Sequence, residues 1–353
     1  MTAIQTLTDF LRATDASFRF FDLGRRLSKL PQDSFLKFER NEIAYPLPHL
    51  RQAWIAVLLW NPKQSGQHLI WFLKFPLDEQ GKLVLAARDD FLQRLARSVS
   101  GNLLEQAAEE DPLKDNPFAF KPADDKMAAF HARATAILKQ PPSGYYEPAR
   151  QYLAGVTPRD QWQALGLQGL ADLCARLDER DNDRLLASAL NDLPDAPLQA
   201  LCTQLEHVDP GHRVTQALTE RLRQQLNQVG EGNDVVVSTL VRALSQSQSD
   251  GLRIGALEQV LSTPAGGSVE VLAAIGSRCW GDLMQPALRQ RFLEQLAASE
   301  AGQDGFNRML IDLIFIPGMR PCIMDSLRNP ERSEALSAAI GGFFSAASQA
   351  AQS

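Results

Sequence analysis

Seven basic residues, Arg19, Arg25, Arg26, Lys29, Lys37, Arg40 and Arg51, lie between positions 19 and 51 beside four acids, Asp22, Asp33, Glu39 and Glu42, leaving a local charge of +3. A guanidinium is a planar fork of donors that matches the oxygens of a carboxylate or phosphate. In Phe20-Phe21-Asp22-Leu23-Gly24-Arg25-Arg26 a strand ending in Asp-Leu-Gly turns into an Arg-Arg helix start. That arrangement would display two such forks beside a sheet edge. Arg25, Arg26, Lys29, Lys37 and Arg40 are therefore the candidate partner-binding residues. A structural reading competes with this one: Asp22 or Glu39 pairs with Arg25 or Arg26 and fixes the turn.

Elsewhere the chemistry-bearing residues are dispersed. Cys174, Cys202, Cys279 and Cys322 include no C-x-x-C pair, and each sits in an apolar helical pattern, so they read as core-filling thiols. Among the five histidines, His49, His68, His131, His207 and His212, only the last two are close in sequence. A five-residue helical step leaves them about 140° apart, even without the break at Asp209-Pro210. They read as exposed interhelical side chains. The acidic pairs Asp89/Asp90, Glu109/Glu110 and Asp124/Asp125 read as solvated helix starts or linker. There is no G-x-S-x-G, no phosphate loop and no H-E-x-x-H, and Gly230-Glu231-Gly232 follows a helix and lacks a third glycine. The reading assigns no catalytic, cofactor-binding or metal-binding residue, and no cofactor is expected.

The elements that must carry these residues fall into two textures. Residues 1–104 read as a small α+β domain: a helix over Thr2 to Ala13, a strand at Phe18 to Leu23, strands at Ala53 to Trp60 and His68 to Phe75 joined by a Pro- and Gly-containing loop, and a third meander strand at Lys82 to Ala86. Both alternate sets of Ala53 to Trp60 are apolar, which predicts cover on both faces from the N-terminal helix and a helix starting near Asp89 or Asp90. Residues 105–122, acidic and interrupted by Pro112, Pro117 and Pro122, read as a linker.

From 123 to 353 apolar residues recur with helical period almost without interruption. Helices pair, with first members near 160, 194, 234, 268 and 303, a spacing of about 34–40 residues that suits two-helix solenoid repeats. The expected fold is an α+β N-terminal domain, a small antiparallel sheet with helices, followed by an all-α HEAT-like helical-repeat solenoid. An irregular helical bundle is the plainer alternative. The C-terminal helix from Leu336, with Phe343 and Phe344, is expected to cap the stack.

The run Phe21-Asp22-Leu23-Gly24-Arg25-Arg26, the later Phe35 to Glu39, and Ala53-Trp54 leading into a strand ending Leu59-Trp60 resemble an uncharacterised proteobacterial family, number 3549 among the domains of unknown function. The resemblance covers nearly the whole chain. It implies a conserved bacterial protein without an assigned activity, so no catalytic residue carries over.

The 353 residues are 44% hydrophobic and 22% charged, values of a folded globular protein. The formal net charge is -6, which supplies no global attraction to nucleic acid or anionic lipid. The longest apolar run, Ala53 to Trp60, is far shorter than a membrane span, and Met1 to Phe10 carries no secretory pattern. A cytoplasmic, bacterial-type protein is expected. These features favour a noncatalytic scaffold or adaptor that binds a protein partner on a helical-repeat surface and on the N-terminal basic patch. A nucleic-acid-binding helical-repeat protein is the first alternative, disfavoured because residues 126–353 hold 20 Lys+Arg against 25 Asp+Glu. Clustered stripes such as Arg213, Arg221 and Arg223, or Arg289 and Arg291, keep it open. An enzyme with a site at the domain junction is the other.

Overall fold

The computed structural model describes residues 4–14, 16–63, 66–98, 103–104, 112–228 and 232–350. The chain divides into two compact units, Met1–Met127 with Phe315–Pro317, and Ala128–Ile314 with Gly318–Ser353. The division falls inside a helix, after Met127, rather than in the stretch 105–122 expected as a linker.

The first unit contains α1 (Leu7–Arg12), β1 (Ser17–Asp22), β2 (Ser28–Leu30), α2 (Gln32–Glu39), β3 (Gln52–Trp60), β4 (His68–Pro76) and α3 (Leu85–Ser98), and α4 (Asp124–Ile137) begins in it. The strands form one antiparallel sheet in the order β2-β1-β3-β4. The expected β3–β4 hairpin is present, with Ala53 opposite Phe75 and Trp60 opposite His68. Register places Phe18 opposite Leu59, Phe20 opposite Val57 and Asp22 opposite Ile55. Because side chains alternate across a strand, these residues share one face with Ala53, Trp71, Leu73 and Phe75. That face packs on Leu7 and Leu11 of α1, Phe35 and Phe38 of α2, and Phe91 and Leu95 of α3. Burying each such aromatic or aliphatic side chain contributes about 1.5–3 kcal/mol.

Three expectations for this unit change. The meander has no third strand after β4. Leu83 makes a single bridge to Leu77, the Asp78 carboxylate accepts from the Gln80 and Lys82 amides, and α3 takes over at Leu85. The helix formers Leu85, Ala86 and Ala87 favour that outcome, and β1 fills the other side of β3. Asp89 and Asp90 therefore lie inside α3, paired with Arg88 and Arg94, and do not cap its start. Glu105–Asp111 of the expected linker lie outside the described residues. Beyond them the Lys74 amide donates to Phe118 O at 2.8 Å and the Phe120 amide to Phe72 O at 3.0 Å, so the chain adds along β4. Phe118 stacks on Phe75, while Phe120 meets Trp54 edge-on at 4.9 Å on the opposite sheet face. Aromatic burial outweighs the prolines and acids that suggested a solvated tether.

The second unit is helical throughout its described residues: α5 (Tyr146–Leu153), a 3-10 turn (Arg159–Ala164), α6 (Leu167–Cys174), α7 (Asn182–Ala189), α8 (Asp195–Leu205), α9 (Gly211–Leu226), α10 (Asn233–Leu244), α11 (Asp250–Leu261), α12 (Val269–Arg278), α13 (Pro286–Ala298), α14 (Gly302–Phe315), α15 (Met319–Leu327) and α16 (Glu334–Ala350), with α4 continuing into it and α14 ending beyond it. Helices pack on the helix two places ahead. α6 meets α8, α8 meets α10 and α10 meets α12, while α7 meets α9, α9 meets α11 and α11 meets α13. The stripes are those the periodicity predicts, such as Leu198, Leu201, Cys202 and Leu205 on α8, and Leu240, Val241 and Leu244 on α10. α16 packs on α13 through a face that buries Leu336, Ile340 and Phe343, while Phe344 stays exposed.

The first helix expected near 160 is shorter than its apolar residues suggest. Arg159–Ala164 buries no side chain, Trp162 is 37% exposed, and Gly166 is extended before α6 begins. The glycines explain the close packing there: a Cβ at Gly169 would lie 2.2 Å from the Tyr145 carbonyl oxygen. Gly169→Ala should therefore destabilise the protein by about 1–3 kcal/mol in urea unfolding. Gly255→Ala, in α11 where an added Cβ meets nothing within 4 Å, should instead stabilise it by about 0.4–1 kcal/mol. Equal effects from the two would contradict the packing argument.

Candidate functional site

Strand alternation sends Asp22 into the same core as Phe18 and Phe20, where its side chain is fully buried. Its Oδ1 accepts from the Tyr45 hydroxyl at 2.8 Å, and the Gly24 and Arg25 amides also donate to the carboxylate. The turn that follows is bonded on every side. The Leu23 amide donates to Trp54 O at 2.9 Å, Trp54 Nε1 to His49 O at 3.0 Å, and Arg25 Nε to Pro48 O at 2.8 Å. Lys126 Nζ reaches the carbonyl oxygens of Leu23 at 2.6 Å and Gly24 at 2.7 Å. Gly24 suits the tight packing here, since a Cβ would sit 3.0 Å from both His49 Cβ and Trp54 Cδ1 and the neighbours would have to shift.

Burial pushes the Asp22 carboxyl up to about 7, against the lowering pull of Tyr45, the two amides and Lys126. It also raises the Tyr45 phenol well above its ordinary value, and the facing Asp22 adds to that. Glu39 is raised to about 7 for the same primary reason. It holds the start of α1, accepting from the Leu7 amide at 2.7 Å, the Thr8 amide at 3.1 Å and the Thr8 hydroxyl. The acid-to-arginine pairing considered for this turn is thus replaced, among the described residues, by bonds to Tyr45 and backbone amides at Asp22 and by helix capping at Glu39.

The five predicted site residues have different environments. Arg25 is fully buried and Arg26 half-buried, so two displayed forks are not what this turn presents. Lys29 is exposed on the edge strand β2, Lys37 is exposed on α2, and Arg40, just past α2, is exposed with Asp9 3.9 Å away.

A second polar centre lies in the helical unit and was not anticipated. Glu206, at the C-terminal cap of α8, is fully buried. Its carboxylate accepts from Arg242 Nε of α10 at 2.6 Å and from an Arg278 terminal nitrogen of α12 at 3.2 Å, with His207 Nε2 at 3.8 Å. Residues 206, 242 and 278 lie at or near the C-terminal ends of α8, α10 and α12, Glu206 being 36 residues from Arg242 and 72 from Arg278. Burial alone would raise this carboxyl, but Arg278, His207 and Arg242 outweigh it and hold it near 2. The equal spacing of these charges was the available signal, and it escapes any search confined to apolar stripes.

His207 is buried beside this carboxylate rather than exposed between helices, whereas His212 is exposed near Ser249. Cys174, Cys202 and Cys279 are buried and Cys322 is half-buried. Burial carries the Cys202 thiol up to about 12 and the Cys174 thiol higher still, where a nucleophilic thiolate is suppressed. Among the described residues no group of three or more His, Cys, Asp or Glu side chains is placed to hold a metal ion.

The family model for the protein of unknown function DUF3549 matches residues 2–344. The chain belongs to this family. No curated protein and no solved structure matches it. In this DUF3549 member the run from Phe21 to Arg26, which carries the resemblance, is the buried and internally bonded turn around Asp22. No helix among the described residues is long and apolar enough to cross a membrane.

The two buried acids respond oppositely to pH. Asp22 keeps its proton longer when folded, so its contribution is complete below the unfolded value of 3.8 and is lost as pH rises through about 7. The melting temperature of Asp22→Asn relative to wild type should therefore climb between about pH 4 and pH 7 and level off above that, and a flat difference across pH 4 to 7 would contradict the buried-carboxyl account. Glu206 contributes above its ordinary 4.5 and loses that contribution as pH falls through about 2. Glu206→Gln should cost about 3–5 kcal/mol at neutral pH, because it removes the buried carboxylate that Arg242 and Arg278 share. Chemical denaturation should show the gap narrowing in acid.

Proposed function

We propose that this protein is a noncatalytic interaction scaffold, whose second unit is a HEAT-like helical-repeat solenoid presenting a protein-binding surface. The Glu206–Arg242–Arg278 ladder is the observation that carries the reading. One carboxylate is shared by α8, α10 and α12 at a 36-residue step, the length of a helical hairpin. Packing of each helix on the one two places ahead supports it further. Stacked hairpins bury one stripe on their neighbours and leave a long exposed surface.

In the sheet unit the partner-binding residues are Lys29, Lys37 and Arg40, with Arg25 and Arg26 shaping the turn beside them. Ion pairing supports a protein partner over nucleic acid. Arg213 lies 3.1 Å from Asp183, Arg221 3.7 Å from Asp195 and Arg223 3.3 Å from Glu220. A stripe neutralised in this way offers little to a phosphate backbone.

Lys29 and Lys37 are exposed, so reversing both to Glu should change stability by no more than about 0.5 kcal/mol. Crosslinked pulldown from native lysate should recover a stoichiometric protein with the wild-type chain and lose most of it with the double variant. Equal recovery would remove the basic patch from the proposal. A salt-dependent gel shift with nucleic acid in place of a protein partner would overturn the reading.

A further inference from the structure

A cavity of about 330 Å³ opens in the helical unit between α13, the end of α15 and the segment 328–330, lined by Pro286, Arg289, Gln290, Asp325, Arg328 and Asn329 among others. Its volume is at the lower end of the range for small-ligand sites. Arg289 forms its floor and is 2% exposed. The Nε of this guanidinium donates to Ser326 Oγ at 2.7 Å, and its Nη1 donates to Leu283 O at 3.1 Å and Met284 O at 2.9 Å. Those bonds hold the fork rigid.

Nη2 is different. Among the described residues it has no hydrogen-bond acceptor, and its nearest anion is Asp325 Oδ2 at 3.7 Å, on a side chain 81% exposed. That separation is beyond hydrogen-bond length. Arg328, also lining the cavity, has no side-chain acceptor among the described residues.

We propose that this cavity binds a carboxylate, whose two oxygens are taken by Nη2 of Arg289 and the guanidinium of Arg328, with Asp325 as the side chain it displaces. The planar monoanion fits the fork of a guanidinium, while a phosphate dianion would meet stronger repulsion from Asp325 at the rim. The same chemistry is offered by a free carboxylic acid and by the C-terminus of a peptide. The proposal does not depend on the repeat surface or on the basic residues of the sheet unit.

The test uses the full chain with isotope-labelled arginine side chains, titrated with acetate, acetyl-Gly-Gly-Ala, its C-terminal amide and inorganic phosphate. The peptide acid should shift the Arg289 and Arg328 resonances, and the amide should bind about tenfold or more weakly, as expected for loss of a charged hydrogen-bond partner. Asp325→Ala should tighten the acid severalfold, and Arg328→Glu should weaken it about tenfold. Both positions are exposed, and unchanged melting temperatures would confirm that the variants fold. Acetate binding as well as the peptide acid would identify free carboxylic acids as the source. A gain with peptide length would identify a chain terminus. Equal binding of acid and amide, preference for phosphate, an unaltered Asp325→Ala variant, or no shift with any probe would each overturn the proposal.

Discussion

A carboxylate removed from water at Glu206 constrains the helical unit more tightly than any apolar contact. Leu against Leu tolerates a slip of a fraction of a turn, because dispersion is non-directional and many pairings are nearly equivalent. A buried ion does not. Sliding α10 or α12 by one residue relative to α8 would carry Arg242 or Arg278 away and leave the buried carboxylate with one arginine in place of two, a loss that no apolar contact restores. The apolar stripes drive association of the helices, while the shared acid selects one alignment among the alignments those stripes permit. The alanine and leucine faces of the neighbouring helices supply much of the attraction and little of the discrimination.

The buried acids of the sheet unit are held by a different kind of partner. Glu206 faces arginines, and its carboxyl is driven down to about 2. Asp22 and Glu39 face chiefly a phenol, a hydroxyl and backbone amides, and both rise to about 7. Hydrogen-bond donors without full charge only partly offset desolvation, so the two outcomes follow from the identity of the partner rather than from depth. What Asp22 and Glu39 provide is local geometry. Asp22 gathers the turn after β1 around Tyr45, and Glu39 satisfies amides at the start of α1 that have no partner within the helix. The chain accepts an acid that is uncomfortable at neutral pH in exchange for a single conformation at each place.

Short apolar runs on either side of a Pro- and Gly-containing loop made β3 and β4 legible, and a 3.6-residue period did the same for the helical texture after residue 123, because both signals survive without knowledge of what lies opposite. The family likeness was legible in the run from Phe21 to Arg26. The role of that run was not. Whether Arg25 points to solvent depends on Pro48 offering a carbonyl to it, a contact 23 residues away that leaves no local mark. The segment around Phe118 and Phe120 misled for a related reason: prolines and acids describe how a segment behaves alone, and β4 was waiting to pair with it. Glu206 escaped notice because its partners lie 36 and 72 residues on, where composition windows do not reach.

Arginine counts taken along a chain treat every guanidinium as surface charge, and burial sorts them into groups with separate uses. Arg176 is buried against Asp172 and Arg289 against carbonyls and a serine, while Arg242 and Arg278 close on Glu206. Their fixed charge braces helices, and it adds little to the field that a distant partner would sense. The cations that still face water include Lys29 and Lys37. Both are lysines, whose hydrated and mobile ammonium groups adapt to varied acceptors without the planar geometry of an arginine fork. Arg289 belongs to both groups, since three of its donors brace the helix ends while Nη2 faces a cavity. A guanidinium held that firmly by carbonyls has already lost its side-chain entropy, so an incoming carboxylate would meet a fork oriented in advance.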